Sequence, residues 1–485
     1  MAEHVLCSLS GLLFSGLSQV RDMRYRKMRR EKEHNFTTGR ILVPLVRFAL
    51  PVLAALFLQA MYGAVDLLIV GRFGIPADVS AVSTGSQIMM TMTNLVASVA
   101  MGATVCLGRQ IGEGKPQEGG RTIGACIALF TAIGLVMTVL FVPGAGTIAK
   151  LMHAPAEAFS LTTDYVRICG AGSLIIIRYN LIGSSFRGIG DSVTPLLTVA
   201  IACIFNIAGD LLLVAGFGMG TAGAAIATVF AQAVSVFISL LLIRKKELPF
   251  QFQRSQIGFH GDMIRRITRI GLPIALQDFL VGISFLLIQV IVNTLGVTAS
   301  AGVGVAEKVC AFIMLVPVAF MQSMSAFVAQ NVGAGKYDRA EKALRYGILM
   351  SLAVGTGMFY LSFFHGNILT SLFSKDIEVA AAGADYLKAY AIDCMLTPVF
   401  FCFIGFYNGV GLTTFVMAQG IISAFLVRVP VSYLMSRRVP VSLFHIGLAT
   451  PCSSALQIVM CLCCMAWFRK QLRNTSRSSA ETGML

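Results

Sequence analysis

Twelve stretches of the 485-residue chain are long and apolar enough to cross about 30 Å of hydrocarbon as helices. They fall at 44–70, 78–108, 122–145, 163–187, 194–217, 221–243, 269–295, 302–330, 343–366, 385–411, 413–435 and 443–468. A bilayer offers no partner to an exposed backbone group, so such a chain must fold as a helical bundle or a closed barrel. Segments of about ten residues with alternating polarity, the mark of a membrane barrel, do not occur. Charged residues make up only 13% of the chain, against roughly 25% in soluble domains, and the mean hydropathy is +0.78.

The formal net charge of +15 reads as topology rather than as nucleic-acid binding. Arg21, Arg24, Arg26, Lys27, Arg29, Arg30, Lys32 and Arg40 precede the first segment. Arg109, Lys115 and Arg121 follow the second. Arg244, Lys245, Lys246, Arg254, Arg265, Arg266 and Arg269 follow the sixth. Lys336, Arg339, Lys342 and Arg345 follow the eighth. The alternate connections hold only Arg72, Lys150, Lys375, Arg437 and Arg438. Both termini are therefore expected in the cytoplasm, for a multi-pass protein of a bacterial plasma membrane. The first twenty residues lack the basic start of a signal peptide, and Met23 or Met28 is an alternative start. Asn35 and Asn474 lie in N-x-[ST] sites on expected cytoplasmic ends, which argues against glycosylation. Cys106, Cys126, Cys203, Cys402 and most other cysteines lie inside apolar segments without metal-ligand spacing, so no disulfide framework or zinc site is expected.

The chain repeats itself at an offset of 221 or 222 residues. "FALPVLAAL" at Phe48 resembles "IGLPIALQD" at Ile270, "RQIGEGK" at Arg109 resembles "QNVGAGK" at Gln330, and "FRGIGD" at Phe186 resembles "YNGVGL" at Tyr407. Six helices per copy give both copies the same direction in the membrane, related by an axis along its normal. The expected fold class is thus all-α integral membrane, twelve transmembrane helices in two pseudo-symmetric six-helix bundles. The domains expected are a basic N-terminal segment (1–40), a first lobe (41–245), a linker (246–268), a second lobe (269–470) and a tail (471–485). The glycine-lysine motifs "GEGK" and "GAGK" lack the P-loop spacing of a phosphate site, so any transport must run on an ion gradient.

Ionisable groups inside such segments are costly and are functional candidates by default. Asp66 follows an uncharged run, Phe48 to Val65; its bland alternative is a carboxylate near a helix end. Asn206 and Asp210 share a helix face four residues apart. Glycines at 216, 218 and 220 turn the chain, so Thr228 can return beside Asp210. Carboxylate, amide and hydroxyl suit a hard cation such as Na⁺, and equally a carboxylate that exchanges a proton. The alternative is a hydrogen-bonded patch that only joins helices. At the repeat offset Asp66 falls on Ile288, and Asn206 and Asp210 on Val427 and Val431, so the candidate site belongs to one lobe only. Gln277 and Asp278 are candidates for contact with a cationic substrate. Asp393 is expected to pack, or to pair with Lys388 or another helix, Arg178 to pair with one of these acids, and Arg428 to be structural. Methionines in "QIMMTMTN" and "AFIMLVPVAFMQSMSAF" would suit an adaptable pocket or ordinary packing.

The motifs from Leu42 to Phe468 together resemble the multidrug and toxic compound extrusion (MATE) transporters. They are "LPVLAALFLQAMYGAVDLLIVGRFG", "GRQIGEGK", "SSFRGIGDSVTPL", "FNIAGDLLL", "GAAIATVFAQ", "GLPIALQD", "AQNVGAGKYDRA", "GFYNGVG" and "VRVPVSYL". The resemblance is to the prokaryotic branch with an acidic first-lobe site. It implies that Asp66, Asn206, Asp210 and Thr228 hold the coupling H⁺ or Na⁺, with a bend of the first helix at Pro51. The acids of another branch would fall here on Val281 and about Thr397, so that resemblance does not extend to a second-lobe site. The expected function is a secondary antiporter, monomeric and without cofactor, exporting amphipathic cationic compounds by alternating access. A lipid-linked precursor flippase would call for a more cationic cavity. A polyprenyl-linked transferase would need a DDxxD or HxxxH cluster, and neither occurs. A passive channel would not need two facing lobes.

Overall fold

The computed structural model describes residues 36–115, 117–246, 248–250 and 252–482, the last eleven as backbone only. The basic cluster from Arg21 to Lys32, the alternative starts, Asn35 and the side chain of Asn474 lie outside the described residues. The described chain is a bundle of apolar helices. Eleven pass alone as membrane-crossing lengths, and one bent pair makes a twelfth.

Lobe 1 comprises α1 (Leu42–Phe73), α2 (Pro76–Gly112), α3 (Gln117–Leu151), α4 (Phe159–Ala171 and Ser173–Gly188), α5 (Val193–Gly216) and α6 (Gly220–Lys245). Lobe 2 comprises α7 (Gly261–Asn293), α8 (Val297–Gly333), α9 (Tyr337–Phe364), α10 (Ile377–Val410), α11 (Thr413–Ser436) and α12 (Leu443–Gln471). The fourth segment, expected as one helix, is bent by 55°. The bend lies at Gly172, where Val229 of α6 leaves no room for a Cβ, so helix contact selects a residue that also weakens the helix.

Local chemistry sets the helix ends. Pro76 opens α2, and Asp78 accepts the Ile75 amide at 3.1 Å. The same carboxylate accepts from the Thr221 amide at 2.9 Å and its hydroxyl at 2.6 Å, joining the starts of α2 and α6. Gly218 and Gly220 adopt φ of +66° and +51°, which makes the tight α5–α6 turn. The fifth helix of each lobe contains a π turn, Leu211–Gly216 in α5 and Ala424–Arg428 in α11.

Among the described residues, the apolar clusters join the lobes at one end, the end that holds the start of α1 and the end of α12. One apolar cluster there joins Leu45, Phe48 and Val52 of α1 to Phe320, Met324 and Phe327 of α8. Another joins Ala100 and Ala103 of α2 to Ile267 and Ile274 of α7. Toward the opposite end the clusters stay within a lobe: Val70, Met89 and Tyr165 in lobe 1, Ile288, Val303 and Tyr390 in lobe 2. A cleft between the lobes therefore opens away from the termini.

Small residues allow the close approach at the terminal end. A Cβ on Gly102 would strike the Ile267 carbonyl, and one on Gly271 the Val99 carbonyl. Gly112 and Gly333, partners in the repeat, face the Gln330 and Arg109 carbonyls in the same way. Hydrogen bonds across this seam are also paired. Arg109 at the end of α2 donates to the Val410 and Gly409 carbonyls at the end of α10. Gln330, its repeat partner at the end of α8, donates to the Gly188 carbonyl at the end of α4 at 3.1 Å. The segment before α1 is held as well: Arg339 donates to the carbonyls of Phe36, Thr38, Gly39 and Arg40 at 2.6–3.2 Å.

Candidate functional site

Three helices of lobe 1 meet about two turns before the end of α1. Asp66 lies seven residues inside the end of α1, not at it, because α1 continues to Phe73. It is 5% exposed, and Asn206 and Asp210 on α5 are 2% and 0% exposed. Thr228 on α6 donates to Asp66 Oδ2 at 3.5 Å and accepts from Asn206 Nδ2 at 3.4 Å. Asp210 lies within hydrogen-bonding reach of Asp66. The structure thus brings together all four residues singled out from the sequence.

The electrostatic problem is plain from the atoms left over. Asp66 Oδ1, Asn206 Oδ1 and both Asp210 carboxylate oxygens are buried and accept no hydrogen bond. An acceptor without a donor in an apolar interior is costly, and two neighbouring carboxylates more so. A proton shared between the carboxylates, or a hard cation among these oxygens, relieves both costs. The π turn begins at Leu211, directly after Asp210. Such turns open the i→i+4 ladder and loosen the helix at that place.

Two neighbours escaped the sequence reading. Tyr62 lies one turn before Asp66, and Gln232 one turn after Thr228, within hydrogen-bonding reach of each other. Their i, i+4 spacing from the named residues was the available signal. Pro51 sits inside α1, which runs through it as one helix.

Lobe 2 holds no matching constellation among its described residues. Ile288 is in an apolar cluster. Asp393 accepts from Thr397 at 2.6 Å, and Lys388, its expected partner, is exposed. Five helical positions separate the two, which puts them about 140° apart around α10. Arg428 donates to Ser284 at 3.2 Å and lies over the Phe285 ring at 4.4 Å, a packing role. Gln277 is buried against Gly420 of α11 and does not line the cleft. Asp278, the next residue, is exposed and accepts from Ser98 of α2 at 2.5 Å, across the seam between lobes. Arg178 is exposed and forms no ion pair with the acids expected for it. Met89, Met92 and Met324 pack in the cores, while Met90 is exposed.

A family model described as MatE matches residues 51–212 and 273–434, one match per lobe. A probable multidrug resistance protein of Bacillus subtilis, YoeA, is 24% identical over 430 residues, covering 85% of this chain and 91% of that protein. A multidrug export protein of Staphylococcus haemolyticus, MepA, is 21% identical, covering 81% and 88%. A solved structure described as an outward-facing conformation of a multidrug resistance MATE family transporter superposes with a TM-score of 0.82 at 20% identity, covering 89% and 95%.

Proposed function

The chain belongs to the multidrug and toxic compound extrusion (MATE) family, and from that membership we propose that it is a secondary active antiporter. It exports amphipathic, cationic compounds in exchange for H⁺ or Na⁺, from a bacterial cytoplasmic membrane with both termini inside. It works as a monomer and without a cofactor.

One observation carries the coupling proposal: the donorless, buried oxygens of Asp66 on α1 and of Asn206 and Asp210 on α5, gathered in one lobe. A lobe that only needed polar glue would pair each acceptor with a donor. The first step is entry of the ion from the open end of the cleft. Its binding draws α1 toward α5 and α6, with Thr228 bridging Asp66 and Asn206. Pro51 leaves one backbone carbonyl of α1 without its helical partner, so α1 bends there at low cost. The ion drives transport only as far as its affinity differs between the two states.

Asp210→Asn is expected to abolish ion-driven efflux while protein still reaches the membrane. Ordinary drug resistance in cells expressing that variant overturns the assignment. Vesicles given a proton gradient or a sodium gradient separately identify the ion by which one drives uptake.

A further inference from the structure

Arg187 is a charged residue of lobe 1 that the coupling site leaves unused. It occupies the last turn of α4, and its Nε is buried without a partner. Only Nη2 is engaged, donating to Ser184 at 2.9 Å. Asp191, the acid nearest in sequence, is taken by Lys246, by the Thr194 hydroxyl at 2.6 Å and by the Val193 and Thr194 amides at 3.1 Å.

The guanidinium borders a cavity of ≈ 40 Å³ between the lobes. Its polar lining is Gln59 of α1, Tyr179 and Asn180 of α4, Ser192 and Thr198 at α5, and Gln322 of α8 from the other lobe. No carboxylate lines it. Val52, Ala55 and Leu56 of α1 form an apolar wall. A guanidinium nitrogen buried without an acid is expensive, and the fork of donors matches a carboxylate. A helix-end role alone would favour the positive charge through the dipole, but would not require a polar cavity that spans two lobes.

We propose that this cavity is a subsite for the carboxylate of an amphipathic substrate, with Arg187 as the charge partner and the Gln59 and Gln322 amides as further donors. The carboxylate enters the cavity, and the apolar body stays along α1 in the cleft. The preferred cargo is then a zwitterion rather than a bare cation. The inference rests on the efflux reading for its transport meaning, but binding tests it separately.

The test uses the full chain in phosphatidylcholine nanodiscs, free of anionic headgroups. The probes are an aromatic amphiphile carrying an amine and a carboxylate, and its methyl ester. The wild type is expected to bind the acid about tenfold tighter than the ester. Arg187→Gln is expected to bind both alike, and Arg187→Lys to keep part of the preference. Equal binding of acid and ester by the wild type, or an unchanged preference in folded Arg187→Gln, overturns the subsite. Should Arg187→Gln fail to fold, an unaltered preference in Gln59→Leu with Gln322→Leu overturns it instead. Loss of dye efflux in Asp210→Asn reports on coupling alone, so the two readings fail independently.

Discussion

At the scale of single residues, Asp66 and Asp210 of lobe 1 are expected to act as one group. Asp66 and Asp210 lie within reach of each other, so their substitutions should not add. The Asp66→Asn, Asp210→Asn double variant is expected to transport no worse than either single variant; initial efflux rates under an imposed proton gradient measure this. Outside the membrane-spanning segments, Asp191 offers a pH test. Burial pushes its carboxyl up, but Lys246 and Thr194 outweigh that and hold it below the ordinary carboxylate range. A depressed folded value stabilises above the unfolded one and is lost only as acid protonates the folded group. Lys246→Met should therefore lower the unfolding temperature in detergent by a few degrees, equally at pH values of about 5 and 8. A loss that grows between those values contradicts the charge assignment. Sequence spacing was enough to find Asn206 with Asp210, because four residues is one helical turn. Of the alternatives for Asp393, packing holds and pairing with Lys388 does not, because five residues is about 1.4 turns. Ser98 with Asp278, 180 positions apart, depends on how two lobes dock, which no local pattern encodes.

At the scale of helices, the close crossings carry the strongest steric demand. A Cβ at Gly333 meets the Arg109 carbonyl, and one at Gly112 meets the Gln330 carbonyl. Backbone cannot step aside as a side chain can, so each Gly→Ala change should cost about 1–3 kcal/mol. Gly357→Ala in α9 is the control: nothing lies within 4 Å of its Cβ position, and alanine is the better helix former. Thermal unfolding should rank Gly112→Ala and Gly333→Ala together, well below Gly357→Ala. The helices themselves were legible because lipid enforces a hydropathy rule along each one. The 55° bend in α4 and the π turn after Asp210 were not, since both keep the same apolar composition as a straight helix.

At the scale of the whole molecule, closure rests on contacts that come in pairs. Arg109 holds the end of α10, and Gln330 the end of α4, at positions related by the internal repeat. Removing the charged member should free the terminal end more than removing the neutral one, because charge-assisted bonds are stronger. Arg109→Ala is expected to shift the two-state population by about tenfold, and Gln330→Ala by less. Distances between spin labels on the α2–α3 and α8–α9 connections read that shift directly; equal distributions in both variants would contradict it. The duplication, the lobes and their common direction were all visible in the repeats. The seam was not, because each of its bonds joins one copy to the other. That seam is symmetric, while the carboxylate pair sits on one side of it. On the proposed alternating-access reading, a hinge of this kind, pushed by one arm, turns the other as a rigid counterweight. Both fastenings are then expected to let go in the same stroke, leaving two resting positions with no half-open stop between them.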